Sequence, residues 1–390
     1  MNEVEINRGI KFLIEANGVL RKIILERDMR NKKLIIPHTF PTGEVINEIG
    51  VNFTITDEVS EIYISDGIEF QESALASIEA KRIRWPSTCK EIPDLCFSYC
   101  SAHCVYNMGH VTKIGKAAFE GCKIQTFKWP LGCKEIPEYC FRKGRLTAIW
   151  GIENVESVGK GAFQQSLIKK IEWPAKCPEI PDSCFRETPL RLICNTANVT
   201  KIGNEAFKQT SISKFVWPPK CPVIPERCFS QTGLLKLSGI ENVEEIQAFA
   251  FAFCRMNEFE WPKKCKVIPE RCFYQTDISH ISGIEEVERI EDGAFSFTKN
   301  LQSFNWPSKC MSIPDRCFTC SGVQEVSNIQ NIQGIGCEAF WDAMHLEPLD
   351  LSKTEISFIG DSAFLGMQRS NIIFPFYFSE EAICRSLSQF

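Results

Sequence analysis

The sequence has 390 residues, of which 44% are hydrophobic and 24% are charged, and its formal net charge is −5. This is the balance of a globular protein, so a disordered chain is excluded, and the negative charge argues against a nucleic-acid partner because phosphates attract clustered Lys and Arg. The first twenty residues lack the layout of a secretory signal, and no apolar run reaches the ~18 residues of a membrane span. We therefore expect no membrane span and a cytoplasmic location, with the cell surface, reached by an unrecognised export route, as the alternative.

The first segment, residues 1–33, contains the apolar stretch GIKFLIEANGVLRKIIL. Its length and composition predict a leading strand or hairpin. An open parallel edge would invite pairing with another chain, so the first coil of a repeat structure needs a cover. We predict that residues 1–33 form this N-terminal cap.

Residues 34–370 repeat with a period of 22. The phrase WPxxCxxIPxxCF occurs six times, at spacings of 44 or 45 residues, and alternates with a second phrase such as VESVGKGAF, which ends at Phe163. Both phrases close on the same aromatic position, occupied by Phe97, Phe119, Phe141, Phe163, Phe185, Phe207, Phe229, Phe251, Phe273, Phe295, Phe318, Phe340 and Phe364. One such unit cannot bury its own apolar edge, so neighbouring units must stack. The repeat predicts about 13 coils of 22 residues, with parallel strands on one face and a helical or tight turn on the opposite side.

The period of 44 residues arises at the tryptophans of the WP phrase. The alternate coils have a glycine or an asparagine at the same position, namely Asn107, Gly151, Asn195, Gly239, Gly283 and Asn328. An indole is wider than the ~4.8 Å between neighbouring strands. We therefore interpret the doubled period as an alternation of large and small side chains in the stack.

The chain has 20 cysteines, and twelve of them belong to the WP phrase. They stand where the alternate coils have Val, Ile or Ala, as a small hydrophobic residue would. Equivalent cysteines lie two coils apart, about 9.6 Å, which is beyond the ~7 Å limit between the Cα atoms of a disulfide. We predict reduced, buried thiols, as expected inside a cell.

The segment IENVESVGKGAF, from Ile152 to Phe163, resembles the BspA-like (Treponema-type) leucine-rich repeat, and the chain from Leu34 to about Gly366 is similar to that repeat. The resemblance implies an α/β repeat fold, a leucine-rich-repeat solenoid. It also implies a non-enzymatic scaffold that binds protein ligands, in adhesion or host interaction for surface members of the family.

Catalytic motifs such as GxGxxG, HExxH or GxSxG are absent from the sequence, and we expect neither an enzyme nor a cofactor. The alternative is a metal- or thiol-dependent enzyme at Cys100, His103 and Cys104. Against it, Cys100 occupies the repeat position at which Thr188 and Thr210 stand, three residues after the closing Phe. No metal site is expected.

The side chains that the predicted strands point outward are unevenly charged along the chain. The last third carries Glu258, Glu260, Glu325, Glu347 and Asp350. The first half is basic and aromatic, a composition typical of interface hot spots. We predict a ligand-binding face for a protein or peptide, formed by Arg82, Arg84, Tyr106, Lys128, Trp150, Lys170 and Arg191. The alternative is that these are ordinary solvated strand residues.

The last segment, residues 371–390, contains the apolar sequence FPFYF followed by SEEAICRSL. We predict a C-terminal cap made of a strand and a short helix. An exposed apolar tail can also join two chains, so we expect a monomer or a tail-mediated dimer.

Overall fold

The structure is a computed structural model that describes residues 1–6 and 9–388, and it divides into two compact units, Met1–Asn198 and Val199–Phe390. Each unit is a stack of coils with three sides. One side carries the longer parallel strands and is called the strand face. The second face carries strands that are mostly two residues long, and the third side consists of turns.

The strand face of the first unit consists of eight strands. They are β4 (Lys33–Ile36), β6 (Val59–Ile64), β8 (Ala80–Arg84), β10 (Cys104–Tyr106), β12 (Thr126–Lys128), β14 (Ala148–Trp150), β16 (Lys170–Glu172) and β18 (Leu192–Cys194). The strands of its second face are β5 (Glu48–Ile55), β7 (Glu69–Phe70), β9 (Glu91–Ile92), β11 (Lys113–Ile114), β13 (Glu135–Ile136), β15 (Ser157–Val158) and β17 (Glu179–Ile180).

The second unit follows the same plan. Its second face consists of β19 (Lys201–Ile202), β21 (Val223–Ile224), β23 (Glu245–Ile246), β25 (Val267–Ile268), β27 (Arg289–Ile290), β29 (Ser312–Ile313), β31 (Gly334–Ile335) and β33 (Phe358–Ile359). Its strand face consists of β20 (Lys214–Val216), β22 (Lys236–Ser238), β24 (Glu258–Glu260), β26 (His280–Ser282), β28 (Ser303–Asn305), β30 (Glu325–Ser327), β32 (Leu349–Asp350) and β34 (Ile372–Ile373).

The fold is the leucine-rich-repeat solenoid predicted from the sequence, with two refinements. The described chain has sixteen strand-face strands, eight in each unit, and they bound about 15 coils, not 13. The strands outside the 13 coils marked by Phe97 to Phe364 are β4 and β6 at the N-terminal side, where the coil of β6 closes on Leu75, and β34 at the C-terminal side. Helix is scarce, because the third side of each coil is a tight turn.

The turns on the third side have two left-handed residues per coil, four positions apart, as at Tyr139 (φ 55°) and Lys143 (φ 57°). The backbone N–H groups of Tyr139, Phe141 and Lys143 all donate to carbonyls of the next coil, at 2.8–3.0 Å. This inter-coil ladder satisfies backbone groups that a helix would pair internally. The turn therefore needs the neighbouring coil in order to form.

The N-terminal segment forms a hairpin of β1 (Asn2–Ile6) and β2 (Ile10–Ile14), and β2 pairs antiparallel with β3 (Val19–Leu25). β3 then pairs in parallel with β5 of the second face. These strands cover the outer edge of that sheet, as an edge requires. The boundary of the cap at residue 33 stays a prediction.

At the other end, a short 3-10 helix (Arg369–Asn371) leads into β34, which pairs in parallel with β32. The helix α1 (Glu380–Leu387) follows, with Ser379 as its N-cap. Backbone N–H groups of Ser362 and Phe364 donate to carbonyls of Arg385 and Ser386, so α1 takes the place of a further turn. The predicted boundary at residue 371 is tested by none of these contacts.

The closing Phe residues form a continuous stack inside each unit. Neighbouring rings of the stack are nearly parallel, with centroids 5.2–5.9 Å apart in the first unit and 5.4–6.2 Å apart in the second. Each indole of the WP phrase lies beside this stack and is fully buried. Its Nε1–H donates to the carbonyl of the cysteine four residues later, at 2.8–3.1 Å in all six copies. The phrase WPxxC is therefore a turn closed by its own tryptophan.

The residues opposite the tryptophans are constrained by their backbone as well as by side-chain size. The residue opposite each tryptophan adopts a left-handed conformation, with φ between 59° and 79°, in which Gly has no Cβ to strain and Asn can add a side-chain hydrogen bond. A Cβ at Gly283 would lie 2.7 Å from the carbonyl oxygen of Trp261. Where the residue is Asn, its Nδ2 donates to the Trp carbonyl, at 2.9 Å for Asn107 and Trp85. Backbone conformation, and not the width of the indole alone, selects these residues.

The cysteines of the repeat pack as small hydrophobic residues. Eleven of the twelve are buried, Cys89 is half-buried, and all twelve are free thiols. Burial raises the pKa of the Cys140 thiol well above its usual value. At neutral pH such a thiol is uncharged and unreactive.

We expect Cys140→Ser to destabilise the protein more than Cys140→Ala, by about 1–2 kcal/mol in the free energy of unfolding. The serine hydroxyl would be buried without a partner, whereas alanine is the residue at the equivalent positions 118 and 162. Urea unfolding followed by circular dichroism measures both variants. Equal stability of the two would contradict the hydrophobic role of the thiol.

Candidate protein-binding face

The seven residues of the predicted ligand-binding face all lie on the strand face of the first unit. Six of them point outward from consecutive strands between β8 and β16, and Arg191 immediately precedes β18. The parallel register aligns Arg84 with Tyr106 and Lys128 with Trp150. The structure thus assembles them into one surface, but this surface has two parts of different character.

The first part is a cluster of polar and aromatic side chains that already bind one another. The guanidinium of Arg84 donates to the carbonyl of Ile64 at 3.1 Å, forms an ion pair with Asp66 at 3.6 Å, and stacks 4.4 Å from the ring centre of Tyr63. Its side chain is only 16% exposed. Arg84 is therefore a supporting residue, with few free donors for a ligand.

Tyr106 belongs to the same cluster. Its hydroxyl donates to Glu61, and Arg82 lies 5.2 Å from its ring centre. Burial, with the hydrogen bond that the hydroxyl donates to Glu61 as a smaller cause, raises the pKa of Tyr106 to about 12, so the hydroxyl stays protonated at neutral pH. Sequence reasoning missed Glu61 and Tyr63, because their strand lies before the 13 coils that were counted from Phe97 to Phe364. The alternation in VSEIYI, which is strand β6, was the available signal.

The second part, the Trp150 patch, consists of Trp150, Lys128 and Lys170. Trp150 is 48% exposed and lies beside Lys128 on the neighbouring strand, whereas the six tryptophans of the WP phrase are buried. In the described chain, neither lysine side chain forms a hydrogen bond or an ion pair, and the same holds for the side chain of Arg191. Leu192 next to Lys170 is 46% exposed. An exposed indole among unpaired cations is free to contact a partner.

From β24 onward, the strand face of the second unit has the opposite charge. Glu258 and Glu260 point outward from β24, next to Lys236 on β22 and His280 on β26. These residues border a groove of about 1040 Å³, called here the acidic groove, whose charged lining is completed by Glu241 and Lys263 and whose apolar lining includes Leu235, Ile240 and Trp261. The volume is at the upper end of that of small-molecule and side-chain sites. The sequence identified the acidic residues but gave no sign of the groove.

The cysteine and histidine cluster of the alternative prediction does not assemble. Cys100 is fully buried, its Sγ donates to the carbonyl of Ile78 at 3.3 Å, and burial raises its pKa to about 12. His103 and Cys104 are exposed at the strand face instead. Within residues 1–6 and 9–388, no three His, Cys, Asp or Glu side chains are grouped to hold a metal ion.

The comparisons with known proteins agree with the geometry. The description "BspA type Leucine rich repeat region" matches in six copies, over residues 39–147, 112–236 and 244–372. The chain belongs to the BspA-type leucine-rich repeat family. A comparison with curated proteins finds none that matches.

Two solved structures resemble this BspA-type chain. A leucine-rich repeat protein from Bacteroides ovatus is 19% identical, with a TM-score of 0.64, over 89% of this chain and 94% of that one. A leucine rich cell surface protein from Faecalibacterium prausnitzii is 16% identical, with a TM-score of 0.48, over 100% of this chain and 98% of that one. At 19% identity, the likeness to the Bacteroides ovatus protein concerns the fold alone. No helix in the described part of the BspA-type chain is long and apolar enough to cross a membrane.

Proposed function

We propose that this protein is a non-enzymatic scaffold that binds a protein or peptide ligand on the strand face of its first unit. The observation that carries the proposal is the Trp150 patch, in which a half-exposed indole is flanked by unpaired cations on a rigid sheet. Tryptophan is enriched among the residues that dominate the binding energy of protein interfaces, because its ring buries a large area while only two side-chain torsions are fixed. Membership of a repeat scaffold family supports the same proposal.

The charges on this face indicate the chemistry of the ligand. Arg82, Lys128, Lys170 and Arg191 form no ion pair in the described part of the chain, and Glu172 is the only outward acid between β8 and β18. An acidic segment would gain both attraction during encounter and ion pairs once bound. We infer a ligand with acidic residues around an apolar side chain that packs on Trp150.

The polar cluster at β6, β8 and β10 has a supporting role in this proposal. Its aromatic rings and guanidinium groups hold one another in place, so the adjoining surface loses little side-chain entropy when a ligand binds. Arg82 is the member of this cluster with an exposed side chain that can reach a ligand. Arg84 and Tyr106 are proposed as positioning residues.

Peptides selected from a displayed library against the whole chain would test the proposal. The triple variant Lys128→Ala, Trp150→Ala, Lys170→Ala is expected to weaken their binding about 10- to 30-fold, measured by fluorescence anisotropy. Added salt should also weaken binding to the wild type, because the cations are exposed to solvent.

The matched control is Val216→Ala, which removes an exposed apolar side chain at the equivalent strand position of the second unit. It should leave peptide affinity unchanged. If the triple variant binds the selected peptides as tightly as the wild type, the ligand lies elsewhere and the proposed face is wrong.

Adhesion and host interaction, and the cytoplasmic location with the cell surface as its alternative, stay predictions. The fold and the family are compatible with either compartment. Labelling of Cys104, an exposed thiol, with a membrane-impermeant reagent on intact cells would decide between them. Labelling supports the surface, and its absence alongside labelling in the lysate supports the cytoplasm.

A further inference from the structure

Charge on the two strand faces is segregated although the chain as a whole is acidic. The outward positions from β24 to β32 hold five acidic residues and no Lys or Arg, namely Glu258, Glu260, Glu325, Glu347 and Asp350. None of the five forms an ion pair in the part of the chain that the structure describes. The first unit has unpaired cations at the corresponding places. The outward cations extend from β8 to Lys236 on β22, and these five outward acids begin at β24, so the two parts of the strand face carry opposite charges.

The two charged surfaces also differ in shape. The Trp150 patch projects an indole from a flat sheet, and the acidic groove is a depression between strands of the other unit, with Leu235 and Ile240 on its wall. A groove of about 1040 Å³ admits a large side chain together with the aliphatic stems of its neighbours. Lysine stems cover apolar surface readily while their ammonium groups reach outward.

We propose that a second copy of this chain is a partner of the Trp150 patch: the Trp150 patch of one copy binds in the acidic groove of the other. This rests on the proposed function, because it names a partner for the same face. Lys128 and Lys170 then meet Glu258 and Glu260 of the other copy, and Glu172 meets Lys236. Because every copy has both surfaces, two reciprocal contacts can close a dimer, and open chains form if they do not close.

Sedimentation velocity of the whole chain, over a wide concentration range at low and high salt, measures this association. The wild type should shift from monomer to larger species as concentration rises, and the shift should shrink with salt. Trp150→Ala should weaken the association about tenfold or more. A wild type that stays monomeric at every concentration would overturn the proposal.

The matched control is Phe376→Ala, which removes a side chain that is 96% exposed in the C-terminal segment. It should leave the association unchanged. If Phe376→Ala abolishes association and Trp150→Ala does not, the tail-mediated dimer is correct and the present proposal is wrong.

Charge exchange provides a stricter test. One variant carries Lys128→Glu and Lys170→Glu, and the other carries Glu258→Lys and Glu260→Lys, all at exposed positions. Each alone should be monomeric because like charges then face each other. An equimolar mixture should associate again, since every contact between the two variants joins opposite charges. A mixture that remains monomeric would refute the pairing.

These experiments distinguish failure of the self-association proposal from failure of the proposed peptide-binding function. Absence of self-association, with selected peptides still bound at the Trp150 patch, rejects the second copy and leaves the peptide-binding face intact. Self-association through the patch, with the selected peptides bound elsewhere, supports the second copy and rejects the peptide as ligand of that face.

Discussion

Replacing Phe273 by alanine is expected to destabilise the second unit by about 3–5 kcal/mol. The ring is fully buried and lies between Phe251 and Phe295, with centroid distances of 5.8 and 5.7 Å. Phe259 and Trp261 pack edge to face with this ring, and their ring centroids lie 5.4 and 6.1 Å from its centroid. Removing it leaves a cavity that four rigid aromatic rings cannot fill, so the loss should fall at the upper end of the range for core substitutions.

The loss of stability should be largest in the coils on either side of Phe273, because each coil of a solenoid contacts only its neighbours. Hydrogen exchange of backbone amides, combined with urea unfolding, would resolve it. The control Phe376→Ala removes an exposed ring and should change stability by about 0.5 kcal/mol or less. Equal effects of the two substitutions would mean that the Phe stack does not hold the coils together.

The Phe stack explains why the fold could be read from the sequence. A period of 22 residues, marked by an invariant aromatic, leaves one arrangement in which successive rings are buried against each other. Reliance on this closing Phe also explains why the sequence predicted 13 coils and not about 15. The coil of β6 closes on Leu75 in place of Phe, and the parallel pairing of Leu34 with Ile62 and of Ile62 with Ile83 adds β4 and β6 to the stack.

The candidate face was less accessible to sequence reasoning. The repeat offsets identify which side chains point outward, and they correctly align Lys128 with Trp150. They do not reveal whether an outward side chain is free. Arg84 and Lys128 have the same offset, yet Arg84 is bound by Ile64, Asp66 and Tyr63, whereas Lys128 forms no such contact in the described chain. Such a difference depends on the neighbours of each coil, and therefore it does not repeat with the 22-residue period.

For the three residues of the alternative metal-site prediction, the repeat position was more informative than closeness in sequence. Cys100, His103 and Cys104 are close in sequence, but the chain crosses from the turn side to the strand face between them. Cys100 is buried in the core and Cys104 is exposed. The repeat position of Cys100, shared with Thr188, predicted its role better than its proximity to histidine did. Thr188 likewise donates from its side chain to a backbone carbonyl, at 2.7 Å.

Gly283→Ala is expected to lower the free energy of unfolding by about 2 kcal/mol, because Gly283 has φ +75° and an alanine Cβ would also lie 2.7 Å from the carbonyl oxygen of Trp261. Gly283→Asn adds the same Cβ, 2.7 Å from the Trp261 carbonyl oxygen, but brings an amide that can donate to this oxygen. Asn195 and Asn328 make that bond to Trp173 and Trp306, at 2.8 and 2.7 Å. The asparagine variant should therefore lose less than about 1 kcal/mol.

The comparison of these two variants separates two explanations of the 44-residue period. If the position opposite each tryptophan required only a small side chain, alanine would be tolerated and the larger asparagine would destabilise the coil. If it requires a left-handed backbone, the order reverses, and Gly283→Asn is the more stable variant in urea unfolding. The sequence already contains Asn at three of the six positions and Ala at none, which favours the backbone. If the Gly283→Ala variant is as stable as the wild type, side-chain size is the correct explanation of the 44-residue period.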